Sequence, residues 1–121
     1  MKVLLVDNHT LFLQGLQSIL RAGGIEVAGV AEDGEEAVTR AGQLKPDVVI
    51  LNAGGDNRSS RATIRRIVRK APAARIIVFA DSRENLRAAA QCGASAYLLS
   101  EIAGEDLLIK LHQMEMRAIK Y

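Results

Sequence analysis

The chain of 121 residues has one cysteine, two prolines and no tryptophan, and aromatic residues make up only 3% of it. A single cysteine, Cys92, cannot close a disulfide within the chain, which fits a reducing compartment; the expected location is the cytoplasm. No neighbour is placed to activate Cys92 as a nucleophile, so it reads as a small buried apolar residue near a helix end. The longest apolar runs are far too short to cross a bilayer, and no basic start leads into an apolar stretch as an export signal would, so no membrane partner is expected. Few aromatics leave little for base stacking, which argues against direct recognition of single-stranded nucleic acid. There is no internal repeat, no low-complexity run and no linker. The length suits one domain that buries roughly two-thirds of its unfolded surface.

Charge is present in ordinary amount but unevenly. Residues 1–57 hold four Lys/Arg against eight Asp/Glu, or −4, and residues 58–121 hold twelve against six, or +6. Much of the positive excess falls in one segment. Arg58, Arg61, Arg65 and Arg69 are spaced three, four and four apart, so on a helix they line one face, with Arg66 and Lys70 alongside. Such a stripe suits an acidic protein surface or a phosphate backbone. Its plainer reading is a solvated outer face.

The organising stretch is Pro46-Asp47-Val48-Val49-Ile50-Leu51-Asn52-Ala53-Gly54-Gly55. Four consecutive apolar residues after Pro-Asp, with no polar alternation, read as a strand buried on both faces. Around it, strand-like and helix-like segments alternate five times. Strands are expected over 2–6, 25–31, 47–52, 75–79 and 94–99. Helices are expected over 10–21 (Phe12, Leu16, Ile19 and Leu20 apolar), 33–44 (Ala37, Ala41, Leu44), 59–70 (Ile64, Ile67, Val68), 83–92, and 104–117 (Leu107, Leu108, Leu111, Met114). Gly23-Gly24, Pro72 and Gly93 supply stops. Five such units with right-handed crossovers imply an α/β fold, a parallel sheet with helices on both faces. The order 2-1-3-4-5 puts strands 1 and 3 together at the switch point, with Asp7 and Asn52 side by side at one rim.

Four short motifs then stand in order: Val6-Asp7-Asn8-His9, Asp33-Gly34-Glu35-Glu36-Ala37, Lys45-Pro46-Asp47-Val48-Val49 and Gly93-Ala94-Ser95-Ala96-Tyr97-Leu98-Leu99. On these the chain resembles a response-regulator receiver domain over essentially its whole length, a flavodoxin-like fold of the CheY-like kind. It is most similar to the type that precedes a helix-turn-helix output in NarL/FixJ (LuxR-like) transcription regulators. The resemblance implies a strand-3 aspartate that accepts a phosphoryl group from a histidine kinase. It also implies two acidic residues after strand 1 that help hold Mg²⁺, a hydroxyl after strand 4 and a lysine after strand 5. In-line phosphoryl transfer depends on positioning and charge neutralisation by all of them.

Mapped onto those positions, this sequence departs at four of five. Asn52 stands at the acceptor, Asn8 replaces one of the acidic pair and leaves Asp7, Ala80 stands at the hydroxyl position and Ser100 at the lysine. Tyr97 matches the switch aromatic. The replacements agree with one another, because a buried lysine beside a single remaining carboxylate would be an unpaired charge. The expectation is a degenerate, non-enzymatic receiver that works without phosphorylation, binds no cofactor and holds Mg²⁺ weakly or not at all. It would regulate an output, transcription above all, through protein–protein contacts or a homodimer, docking on the first, fourth or last helix or the fifth strand. DNA would be bound by a C-terminal helix-turn-helix output domain beyond residues 1–121 and not by this domain. The apolar residues that persist through Met114-Glu115-Met116-Arg117-Ala118-Ile119 to Tyr121 suit a chain that continues. Two other readings stay open: a small-molecule sensor using the vacated pocket, and phosphorylation at Asp7. Asp7 itself reads as a residual cation ligand or, more plainly, as a cap on the first helix. His9 and His112 lack partners that would make them ligands or bases.

Overall fold

The computed structural model describes residues 1–7, 10–52, 57–80, 87, 96–99 and 105–118. Within these, the side chains of residues 10, 12, 57–60, 80, 96–99, 105–106 and 115–118 fall outside the description. The elements in order are β1 (Lys2–Val6), α1 (Thr10–Ala22), β2 (Glu26–Ala31), α2 (Gly34–Leu44), β3 (Val48–Asn52), α3 (Asn57–Lys70), β4 (Arg75–Ala80), β5 (Ala96–Leu99) and α4 (Glu105–Ala118). The helix expected over 83–92 lies outside the described residues, apart from the helical Arg87. All strand pairs are parallel and the sheet order is β2-β1-β3-β4-β5.

The apolar runs explain why this sheet is covered on both sides. In a strand successive side chains point to opposite faces, so a run without polar alternation must bury two faces. Leu4 and Val6 of β1, Val49 and Leu51 of β3, and Ile76 and Val78 of β4 pack with Ala37, Val38 and Ala41 of α2 and Ile64 and Ile67 of α3. Val3, Leu5, Val48, Ile50, Ile77 and Phe79 point the other way, against Leu13, Leu16 and Leu20 of α1 and Leu107, Leu111 and Met114 of α4. In β2 the register against β1 shifts by one residue between Val3 and Leu4. The alternation is therefore broken there, and Val27 and Val30 both reach the α1 side.

Helix ends follow their end residues. Gly24 takes φ +82° after α1, and Ile25 N donates to Leu20 O at 2.9 Å while Gly24 N donates to Arg21 O at 3.0 Å. That double bond pattern needs a left-handed residue after the helix, which glycine adopts without steric cost. At the start of α2, Asp33 Oδ1 accepts from Glu36 N at 2.8 Å and caps the helix. Asp47 ties the opposite end of the sheet together. Its Oδ2 accepts from Lys2 N at 2.7 Å, and its backbone bonds both Lys2 O and Arg75 N.

Two helix faces differ from those expected. Ile19 is 37% exposed and Val68 38% exposed, while Leu13 and Thr63 are buried. Each helix is rotated so that its neighbours, and not the middle of its apolar arc, decide which residues are covered. Thr63 is buried because α2 and α3 approach closely beside it. A Cβ built on Gly34 would stand 2.5 Å from Thr63 Oγ1.

Candidate functional site

Parallel pairing of β1 with β3 sets Val6 opposite Leu51, so the residues one step further, Asp7 and Asn52, emerge together at the C-terminal rim. Asn52 Nδ2 donates to Asp7 Oδ2 at 3.1 Å. Asp7 is buried, with 7% of its surface exposed, and Asn52 is half-buried. Asp7 N donates to Ala31 O at 3.0 Å, which carries the β1–β2 ladder to the rim and holds the carboxylate in place. The Asp7 carboxylate thus accepts from Asn52 across the sheet. Capping of α1 by Asp7 runs through residues 8 and 9, which lie outside the described residues.

The rest of the expected constellation is placed by its backbone only. Ala80 ends β4 opposite Leu99, and Tyr97 pairs with Val78 in β5; their side chains fall outside the description. Asn8, His9, Cys92 and Ser100 lie outside the described residues. Among the described residues no three His, Cys, Asp or Glu side chains gather as a metal cluster. No helix there is long and apolar enough to cross a membrane. His112 is exposed on α4.

The basic segment divides into two faces. Arg65 and Arg69 are exposed and Arg61 half-exposed, all on the side of α3 turned away from the sheet. Arg58 belongs to the same helix, with its side chain outside the description. Arg66 turns instead to α2, where its Nη2 lies 3.3 Å from Glu35 Oε2 and its Nη1 also bonds Glu35. That hydrogen bond, and secondarily the guanidinium charge, holds the Glu35 carboxyl below the usual carboxylate value and raises Arg66. Lys70 lays its stem towards α2 as well, 3.6 Å from where a Cβ on Gly42 would stand. Sequence reading missed the Glu35–Arg66 tie. The partners are 31 residues apart, and only their opposite charges could have suggested it.

The receiver-domain model of response regulators matches residues 3–112. The chain belongs to the response regulator receiver domain family. The receiver is 33% identical over 114 residues to the nitrate/nitrite response regulator protein NarL of Escherichia coli, covering 92% of this chain and 53% of NarL. It is 31% identical over 110 residues to the transcriptional regulatory protein MctR of Rhizobium johnstonii, covering 88% of this chain and 51% of MctR. The chain thus spans about half the length of these curated relatives. Among solved structures, a two-component response regulator of the LuxR family from Aurantimonas superposes with a TM-score of 0.81 at 25% identity, covering 93% of this receiver and 83% of that chain.

Proposed function

We propose that this receiver is a regulatory interaction module that does not accept a phosphoryl group at its sheet rim. It works by docking on a partner or on a second copy of itself. The observation that carries the reading is the Asn52–Asp7 hydrogen bond. A carboxamide is a poor nucleophile towards phosphorus, and here its amino group is engaged with the Asp7 carboxylate. The degenerate acceptor position in this reading is residue 52, with Asn8, Ala80 and Ser100 as accompanying replacements and Tyr97 as the kept switch aromatic.

The residues do not fit Mg²⁺ well. The ion demands hard oxygen ligands in near-octahedral array and gives up water reluctantly. Asp7 would bring one carboxylate whose Oδ2 already accepts from Asn52. In this reading no cofactor is needed, and the chemistry of the site is structural: a neutral donor satisfies a buried acid. Relatives named as a response regulator and a transcriptional regulatory protein support an output in transcription; in this reading that output belongs to a C-terminal DNA-binding domain of the same, cytoplasmic protein. Without a phosphorylation switch the receiver should occupy one state permanently, and the state proposed is a homodimer. Sedimentation as a monomer at high micromolar concentration would remove the dimer from this account.

The deciding experiment is incubation with acetyl phosphate and Mg²⁺ followed by intact-mass measurement and peptide mapping. The expected result is an unchanged mass. One added phosphoryl group on residue 52 or Asp7 would overturn the proposal.

A further inference from the structure

The outward face of α3 carries arginines that no described carboxylate pairs with. The helix sequence NRSSRATIRRIVRK holds six basic residues, no acidic one, and none in its first turn to complement the helix dipole. Arg61, Arg65 and Arg69 follow one another at four-residue spacing, where like charges are neighbours and destabilise a helix. Glu35 is taken by Arg66, and Glu36 by Arg40 at 3.3 Å. Among the described residues no carboxylate pairs with Arg61, Arg65 or Arg69. An unneutralised stripe about 12 Å long therefore runs along a helix whose other side is locked into the core.

Its surroundings say what kind of anion it fits. Exposed Ala62 and Val68 adjoin the arginines, and Val68 leaves 38% of its surface open. Apolar contact points flanked by arginine are the makings of a protein interface, where arginine is enriched and lysine depleted. A long polyanion would meet repulsion instead. Exposed Glu32 and Asp33 stand just before the adjacent α2. Arginine forks pair bidentately with carboxylates held at fixed spacing.

We propose that the α3 face formed by Arg61, Ala62, Arg65, Val68 and Arg69 docks an acidic amphipathic helix of another protein. Its carboxylates, spaced by helical turns, pair with the arginines while an apolar residue covers Val68. The inference goes beyond the reading of the sheet rim and is separable from it. Binding at α3 does not depend on whether residue 52 takes a phosphoryl group.

The test uses the chain with three fluorescent probes. One is an alanine-based helix carrying glutamates in a single stripe beside a leucine. The second is the same composition scrambled around the helix, and the third is a short DNA duplex. Anisotropy should show the striped helix binding about fivefold or more tighter than the scrambled one, with affinity falling as salt rises. Arg65→Ala/Arg69→Ala should weaken it about tenfold, and Val68→Ser about threefold with the salt dependence unchanged. Amide shifts should map to 61–69. Equal binding of striped and scrambled helices would overturn the proposal, as would tighter binding of the duplex, shifts elsewhere, or no binding by any probe. Thermal melts of the variants guard against a folding artefact, and a loss of binding by a variant that melts like the parent counts for the proposal.

Discussion

Asn52 and Asp7, 45 residues apart in sequence, meet through a 3.1 Å hydrogen bond from the carboxamide to the carboxylate. The bond exists because β1 and β3 are neighbours in register, so that both residues leave the sheet at the same level. It satisfies a buried acid with a neutral donor, and it makes the rim sensitive to any added negative charge.

Replacing that donor by an acid, Asn52→Asp, should cost stability at neutral pH. Two carboxylates then share a site that water screens only partly, and one of the pair has its pKa raised above the unfolded value. A raised acid pKa means that the folded state holds more protons than the unfolded one, so stability falls as pH rises through that pKa. The loss should be about 1 kcal/mol at pH 8 and smaller at pH 5, read by denaturant melts. Equal stability of both proteins at pH 8 without metal would contradict this account of the rim.

Magnesium should discriminate the same two proteins. Titrated into the parent chain and followed by amide shifts at Asp7 and Asn52, it is expected to show no saturation below about 1 mM. In Asn52→Asp it should recover part of the lost stability, because a ligand that binds only the folded state stabilises it.

The α2–α3 contact predicts a coupled pair. Gly34→Ala would drive a methyl group to 2.5 Å from the buried Thr63 Oγ1. The hydroxyl sits on a stiff, branched side chain, so the clash should cost about 1–2 kcal/mol even though alanine is otherwise the better helix former. Adding Thr63→Ala should recover most of that loss. Additive effects in the double-mutant cycle would show that the two residues do not press on one another.

The Glu35–Arg66 bridge makes a prediction about acid. Because the hydrogen bond to Arg66 lowers the Glu35 pKa below its unfolded value, the bridge contributes above the unfolded pKa. Its contribution is lost as pH falls through the depressed folded value. A carboxyl-carbon titration should give Glu35 a lower midpoint in the parent than in Arg66→Gln. Both groups lie at the surface in contact with water, so the difference should shrink in strong salt and the variant should melt close to the parent at pH 7.

Sequence alone determined the sheet. Runs such as Val48-Val49-Ile50-Leu51 can be satisfied only by burial on two faces, and Gly23-Gly24 and Asp33 mark helix ends through backbone freedom and side-chain capping that act locally. Alternating units with right-handed crossovers left few topologies open, 2-1-3-4-5 among them. Tertiary structure decided the rest. Apolar spacing defines an arc on a helix but not the rotation of that arc, so Leu13 and Thr63 went inside while Ile19 and Val68 stayed partly in water. A one-residue register shift beside Ala28 turned Val27 and Val30 to the same side, which no local pattern announces. Arg66 could join Glu35, and leave Arg61, Arg65 and Arg69 facing outward, only once α2 had packed beside α3. Interactions between residues distant in the chain depend on which surfaces the core brings together, and that is settled by packing rather than by spacing.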